Sequence, residues 1–246
     1  MTPPAPAPAL RPRASLRYLL RAWDALEGAG LRGELSPRSF STLGSASAST
    51  TVALNFAEVS FPGFGVLRFT GIDSARIEIF SLLAFPDDPE AHPVFASEYV
   101  FMGSVVRAAV VDFQLGARCP AARAALARLA SRHARLLHDG EYPEWCRPHF
   151  TRSAVFQLRE TALERRVLEH AFDDYLGEFA GLVARTGAPA PVEDAAELAD
   201  YKAHHCRHTP GRPFLSRCFG ADWTEDFLAG AMYAPQPGAG VLAATG

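Results

Sequence analysis

The stretch of residues 75–114, ARIEIFSLLAFPDDPEAHPVFASEYVFMGSVVRAAVVDFQ, decides the fold. It contains three apolar runs, residues 77–85, 94–101 and 105–113, which are separated by a Pro-Asp-Asp-Pro segment and by a glycine turn. Apolar runs of this length, rich in Val, Ile and Phe and broken by turn residues, predict strands with buried faces. We interpret the stretch as the central meander of a sheet.

One carboxylate, Glu98, lies inside the middle run. Successive strand residues point to opposite faces, so Glu98 shares a face with Val94, Ala96 and Val100. A charged Glu is costly to bury among apolar neighbours, and we therefore expect it to be paired, protonated or at a solvated opening. Glu98 is the first candidate for a functional residue.

Upstream of the meander, residues 50–60 and 64–72 alternate between apolar and polar positions. In the second segment Arg68 and Thr70 share one face. Together with the central runs this gives five consecutive strands on short connections, which predicts an antiparallel sheet because parallel strands need long crossovers. Residues 15–29 have the periodicity of a helix. The Gly- and Ser-rich residues 30–48 are expected to form an exposed, mobile loop.

The second half of the chain is mostly helical in pattern. Helices are predicted over residues 120–137, 162–185, 192–208 and 221–233, with one short strand at residues 153–159. Strands first and helices afterwards predict an α+β fold with helices over the sheet faces. Residues 14–235 are expected to form a single domain, between a disordered proline-rich tail (1–13) and a flexible C-terminal tail (236–246).

Composition excludes several classes of function. The net charge of −3 over 246 residues is unlike that of a nucleic-acid-binding protein. No apolar run approaches the ~18 residues of a membrane span. The four cysteines are scattered and no export signal is visible, so reduced thiols and a cytoplasmic location are expected.

Several separated stretches resemble, in order, the ferredoxin-dependent bilin reductases. The similarity extends over about residues 50 to 233. The matching segments are Phe85-Pro86, Pro93 to Glu98, Gly103, Val111-Asp112-Phe113, Glu144-Trp145-Cys146, Tyr201, His208-Thr209-Pro210, Phe219 to Phe227 and Met232-Tyr233.

The resemblance implies an α/β/α sandwich with a central antiparallel sheet of about six strands flanked by helices. It also implies an oxidoreductase that reduces an open-chain tetrapyrrole, biliverdin-like or a red chlorophyll catabolite, by a radical mechanism. Electrons would come singly from reduced ferredoxin, with no bound cofactor, and the protein would supply protons. The expected partners are the tetrapyrrole and ferredoxin.

The resemblance also assigns roles to residues. Glu98 stands at the family's catalytic Asp and is the expected proton donor. Ser81 stands where bilin reductases have His or Asn, and Thr209 where they have a C-terminal Asp. Red chlorophyll catabolite reductases also carry a central Glu and a Ser-Leu-x-Ala-aromatic strand, as at residues 81–85. They keep an acidic residue near the C-terminal site, however, which this chain lacks.

Four further residues are candidates through the same resemblance. Arg68 and Thr70 match pocket-lining positions, Arg159 matches an arginine that holds a propionate, and His208 lies beside the missing Asp as a replacement second donor. Ser81 and Thr209 would contact substrate. The alternatives are a Glu98 paired with an arginine, a Ser81 that is only a small strand residue, solvated arginines, and a solvent-facing His208.

Two further features of the sequence bear on metal binding and on the docking of ferredoxin. The run His204-His205-Cys206-Arg207-His208 does not have the spacing of a structural zinc site, so no metal is expected. The arginines of residues 118–135 form either a docking face for ferredoxin or an ordinary solvated helix surface. A non-catalytic tetrapyrrole-binding or carrier protein is the alternative to a reductase, and a third possibility is a pocket adapted to a different acceptor.

Overall fold

A computed structural model describes residues 14–47, 50–103, 105–115, 119–137, 142–157, 165–186 and 196–235 of the chain. Within these ranges the fold is α+β, as predicted: one antiparallel sheet with helices on both faces. No helix in them is both long and apolar enough to cross a bilayer.

The sheet has eight strands in the order β1-β3-β4-β5-β6-β7-β8, and β2 pairs with β3 beside β1. The strands are β1 (Glu34–Leu35), β2 (Phe40–Ser47), β3 (Thr50–Phe61), β4 (Gly65–Asp73), β5 (Ile77–Pro86), β6 (Val94–Met102), β7 (Val105–Gln114) and β8 (Val155–Gln157). The meander predicted from residues 75–114 is therefore present as β5 to β7. Consecutive strands from β3 to β7 are neighbours because their connections are short.

Within the described residues, six helices accompany the sheet. They are α1 (Leu16–Gly28), α2 (Pro120–Arg132), α3 (Arg165–Thr186), α4 (Ala196–His208), α5 (Arg212–Phe219) and α6 (Ala221–Phe227). The last helix continues into a π-helical turn, Leu228–Met232, and α2 is followed by a 3-10 turn, Ala134–Leu136.

One face of the sheet is packed with aromatic side chains against α1 and α3. Tyr18 of α1 stacks on Phe80 with ring centroids 3.7 Å apart. The hydroxyl of Tyr99 donates a 2.6 Å hydrogen bond to the Leu168 carbonyl oxygen, which ties β6 to α3. This face is a continuous dry core, and we call it the core face.

The opposite face is covered by α4, α5, α6 and the π-helical turn. Apolar contacts close its margins, where Phe227 packs on Phe56 and Tyr201 on Phe85. Between these contacts the helices stand away from the sheet and leave a cavity. We call this the cavity face.

Two predictions of secondary structure were wrong. Residues 30–48 were expected to form a mobile loop, but they contain β1 and β2, and β2 pairs with β3 from Phe40↔Phe56 onwards. The small side chains of β2 are required because α5 packs against it: a Cβ on Gly44 would lie 2.5 Å from the Cys218 carbonyl oxygen. Helix α5 was also missed, and the sheet has eight strands where about six were expected. The predicted tails, 1–13 and 236–246, lie outside the described residues.

Candidate active site

A row of side chains crosses the cavity face perpendicular to the strands. Thr70, Ser81, Glu98 and Val110 are successive cross-strand partners on β4, β5, β6 and β7. Directly opposed residues in antiparallel strands hold their Cβ atoms about 5 Å apart. The register therefore places a hydroxyl, a hydroxyl and a carboxyl side by side on the floor of the cavity.

The cavity above this row has a volume of about 310 Å³. Its remaining floor is apolar, with Ile72, Ile79, Val100 and Ala108. The helical layer forms its roof with Phe214, Leu215, Phe227, Leu228, Met232 and Tyr233. A mostly apolar hollow with a few convergent polar groups is typical of a site for a small organic ligand.

A second, smaller hollow of about 40 Å³ continues towards β7 and α4. It is lined by Ala96, Gln114, Phe150, Tyr201 and His205, and it shares Glu98, Ser81 and Thr209 with the larger cavity. Glu98 therefore lies where the two hollows meet.

Glu98 is half-buried, and the exposed part of its side chain faces this cavity. No described residue donates a hydrogen bond to its carboxyl group or forms an ion pair with it. Burial raises its pKa to about 7, because desolvation disfavours the charged carboxylate. Among the described residues Glu98 therefore faces the cavity without an ion-pair partner.

Thr70, Ser81 and Thr209 all lie on the cavity wall, as expected for substrate-binding positions. The Thr70 hydroxyl contacts the Met232 sulfur at 3.2 Å. The Thr209 side chain is hydrogen-bonded to Tyr233, whose own pKa is raised by burial and by the neighbouring Glu98 charge. These groups offer hydroxyls to a ligand but no second carboxyl.

Sequence reasoning missed His205, which lines the smaller hollow. Its ring lies 4.3 Å from that of Tyr201, and its Nε2 atom is buried without a hydrogen-bond partner in the described part of the chain. Burial, reinforced by nearby imidazoles, lowers its pKa to about 3, so the ring is neutral. The spacing of the buried α4 residues Leu198, Tyr201, Lys202 and His205 is that of a helical stripe, and this signal could have found it.

The expectation that His208 faces the site is wrong. His208 is the last residue of α4 and is exposed, and it lines neither hollow. The physical reason is the helical period, because the buried stripe of α4 passes through His205, and His208 lies at its margin. The histidine that reaches the cavity is therefore one turn earlier.

The expectation that Arg68 contacts substrate is also wrong. Arg68 is fully buried, and its Nε atom forms a 2.9 Å ion pair with Glu58. Its other nitrogens donate to the carbonyl oxygens of Ala234 at 2.6 Å and Pro235 at 3.1 Å. Arg68 does not line the cavity but anchors the segment that carries Tyr233. Arg159, the expected propionate-binding residue, lies outside the described residues.

The loop before β8 also contributes to the site. Trp145 and Phe150 line the smaller hollow, and Trp145 lines the larger one as well. The Trp145 carbonyl oxygen accepts a 2.6 Å hydrogen bond from His204. In the ranges that the structure describes, no three His, Cys, Asp or Glu side chains converge as a metal site would require.

Comparison with known proteins agrees with this architecture. The chain is 32% identical over 111 residues to the phycoerythrobilin:ferredoxin oxidoreductase of Parasynechococcus marenigrum (strain WH8102), which is 41% of each protein. It is 32% identical over 106 residues to the protein of that name from Gloeobacter violaceus (strain ATCC 29082 / PCC 7421), 41% of this chain and 43% of that one. These matches span about two fifths of the curated relatives' length.

Among solved structures, phytochromobilin synthase from tomato in complex with biliverdin has the same fold. The TM-score is 0.71 at 18% identity, over 89% of this chain and 83% of that one. The sequence model of the ferredoxin-dependent bilin reductase family matches residues 25–233. This range holds the whole sheet from β1 to β8 and the cavity roof, and the chain therefore belongs to the ferredoxin-dependent bilin reductase family.

Proposed function

We propose that this protein reduces an open-chain tetrapyrrole of the bilin type, with reduced ferredoxin as electron donor and Glu98 as proton donor. The observation that carries the proposal is Glu98 itself: a cavity-facing carboxyl with a pKa of about 7 and no described partner. A general acid is most effective when its pKa is near the working pH.

The chemistry needs protons more than it needs a protein-bound cofactor. Saturating one double bond of the pigment takes two electrons and two protons. Ferredoxin supplies the electrons one at a time, and the conjugated pigment holds the unpaired electron between transfers. Glu98 gives a proton and becomes a carboxylate until it is reprotonated. Ser81 and Thr70, beside it in the row, are placed to hydrogen-bond the pigment.

Two lines of support favour a bilin over a red chlorophyll catabolite. The similar curated proteins carry the name phycoerythrobilin:ferredoxin oxidoreductase, and the similar solved structure was determined with biliverdin. The wall of the larger cavity is predominantly apolar, which suits a flat conjugated pigment whose polar edge meets a few hydroxyls.

Ferredoxin docking is proposed without assigning it to the arginine-rich surface of α2, which the sequence left open as either a docking face or an ordinary solvated surface. Two of those arginines are neutralised by α3: Arg128 pairs with Glu178 at 2.7 Å and Arg132 with Asp174 at 3.2 Å. The charges of these two arginines are therefore already matched within the chain. Arg118, another of the arginines in this stretch, lies outside the described residues.

A second candidate is a bilin-binding or carrier protein without turnover. The specific observation in its favour concerns the two positions at which the family has further proton-donating residues. This chain has Ser81 and Thr209 there, and neither hydroxyl is an acid near neutral pH. This alternative predicts a stable pigment complex that reduced ferredoxin leaves unchanged.

Titration with biliverdin, followed by anaerobic addition of reduced ferredoxin, separates the two. A reductase is expected to shift the pigment band on binding and then to bleach or blue-shift it as electrons arrive. In Glu98→Gln the first change should persist, and the rate of the second should fall about 100-fold or more, the usual contribution of a general acid. Glu144→Gln, an exposed carboxyl beside Trp145, is the matched control and should behave as wild type. Binding without reduction in the wild type would favour the carrier, and the absence of binding would remove both.

A further inference from the structure

Four histidines form a connected group between α4 and the loop that precedes β8. The ring centroids of His149 and His205 are 5.3 Å apart, those of His149 and His204 4.9 Å, and those of His204 and His208 4.7 Å. His204 and His205 are themselves 5.6 Å apart. We call these four residues the imidazole chain.

The imidazole chain runs from solvent to the cavity. His208 is exposed, His204 and His149 are half-buried, and His205 is buried on the wall of the smaller hollow. At the inner end, the Nε2 atom of His205 has no hydrogen-bond partner among the described residues. That hollow also contains Glu98, so the inner end of the chain and the carboxyl open onto the same space.

We propose that the imidazole chain carries protons from solvent to the cavity and so resupplies the reduction. The proposal rests on the proposed function. Each double bond that is reduced takes two protons, and Glu98 holds only one. A pigment that fills the cavity displaces the water that would otherwise reach the carboxyl. A route through side chains is then needed for the second proton and for recharging Glu98.

The steps balance without leaving a charge in the interior. From the tautomer that carries its proton on Nε2, neutral His205 gives this proton to the Glu98 carboxylate or to the reduced pigment while it takes a proton at Nδ1. It remains neutral throughout, and ring reorientation restores the starting tautomer. His204 holds its Nε2 proton against the Trp145 carbonyl oxygen, which leaves its Nδ1 atom to take up and release the travelling proton.

The groups around the imidazole chain favour transfer of a proton over its retention. His205 is faced by Tyr201 and Tyr233, whose hydroxyls burial keeps protonated, and across the hollow by Glu98. Burial and the charge of His204 lower the pKa of His149, while Asp200 opposes this weakly. The lowered pKa values of His149 and His205 mean that these two rings do not retain an extra proton.

The test is single-turnover reduction of bound biliverdin, in which pigment radical formation and its later loss by protonation are followed separately. In His205→Phe the aromatic packing on Tyr201 is kept and the exchangeable proton is lost. Radical loss should slow about tenfold or more relative to radical formation followed in the same sample.

The exposed end provides an independent variant. His208→Ala should also slow radical loss, and imidazole added to the buffer should restore it, which a purely structural role would not produce. His170→Ala, an exposed histidine on α3 outside the chain, is the matched control and should have no effect. Radical loss at the wild-type rate in both His205→Phe and His208→Ala would overturn the proposal. Failure of the proposed function is recognised separately, because the wild-type protein itself would then not reduce biliverdin, whether or not it binds the pigment.

Discussion

At the scale of single residues, the position of Glu98 couples chemistry to stability. Its carboxyl lies on the cavity face without a described partner, and burial alone raises its pKa from 4.5 to about 7. A group that is harder to ionise in the folded state than in the unfolded chain makes the folded state less stable wherever the unfolded chain ionises it. The property that makes Glu98 a usable acid therefore costs stability at neutral pH.

Glu98→Gln should consequently stabilise the protein at alkaline pH. The unfavourable contribution of Glu98 is absent below pH 4.5, grows between pH 4.5 and 7, and is complete above 7, where it amounts to about 3 kcal/mol. Urea unfolding at pH 4 and pH 8 measures it: the two proteins should agree at the lower pH and differ at the higher. A variant that is no more stable than wild type at pH 8 would show that the carboxyl is not desolvated.

Of the two candidates Glu98 and Arg68, only Glu98 lines the cavity, and strand alternation explains why the sequence could not distinguish them. Strand alternation assigns a side chain to a face, and both residues are on the cavity face. Strand alternation does not show which groups of the helical layer the side chain meets. Glu98 meets an open hollow, whereas Arg68 meets Glu58 and the carbonyl oxygens of residues 234 and 235, which come from the other end of the chain.

At the scale of elements, the position of the cavity roof depends on the hydrogen bonds and the ion pair that Arg68 forms. Arg68 anchors residues 234 and 235, which directly follow Met232 and Tyr233 on the cavity wall. The anchor is held in turn by the buried carboxylate of Glu58. The floor and the roof of the site are therefore joined by one guanidinium group.

Arg68→Met should destabilise the protein by about 3–5 kcal/mol, because it leaves Glu58 buried and without its close partner. Denaturant unfolding measures this loss. The double variant Glu58→Leu/Arg68→Met should recover a large part of it, since no lone buried charge remains. Proteolysis after residue 232 should be faster in both variants, because the carbonyl oxygens of residues 234 and 235 have lost their donor. Equal protease resistance in all three proteins would contradict the anchoring role.

The edge strand β2 makes a second prediction at this scale. A Cβ on Gly44 would meet the Cys218 carbonyl oxygen at 2.5 Å and the Phe219 ring at 2.5 Å. Gly44→Val should therefore separate β2 from α5 and destabilise the protein by about 1–3 kcal/mol.

The matched control is Gly177→Ala in α3, where nothing lies within 4 Å of the added methyl group. It should stabilise the protein by about 0.5–1 kcal/mol, because Ala favours the helix. Thermal unfolding of the two variants should therefore shift in opposite directions. A neutral Gly44→Val would mean that the strand and the helix are not in close contact.

The same contact explains why local pattern failed at β2 and α5. The segment FSTLGSAS carries the residues of a loop, because close approach of a helix demands small side chains in the strand. Helix α5 has only eight residues, about two turns, and so short a segment is hard to tell from a loop or a strand by periodicity alone. By contrast β3 to β7, where each strand buries its own alternation, were predictable from sequence.

At the scale of the whole molecule, the sheet separates two layers with different tasks. Aromatic side chains fill the core face against α1 and α3, whereas the cavity face meets α4 to α6 only at its margins. The hollow is therefore bounded by two independently packed layers. A ligand placed in it would contact both, and it should strengthen the weaker junction of the fold.

Biliverdin at about 100 times its dissociation constant should stabilise the folded state by about 2.7 kcal/mol. For a chain of this size that corresponds to an increase in Tm of about 5–10 °C, which differential scanning calorimetry can measure. Ala108→Trp, which fills the cavity from its floor, is the matched variant and should lose the increase. An equal increase in both proteins would place the pigment elsewhere.

The pleat of β5 and β6 has a consequence for anyone who wishes to redirect this scaffold to a different pigment. Neighbouring residues point to opposite faces of the sheet: Phe80 and Tyr99 pack in the core face, while Ser81 and Glu98 face the hollow. A combinatorial library that varies only the cavity-facing positions, which are every second residue of these strands, would thus change the ligand-binding surface and leave the packing of the core face intact.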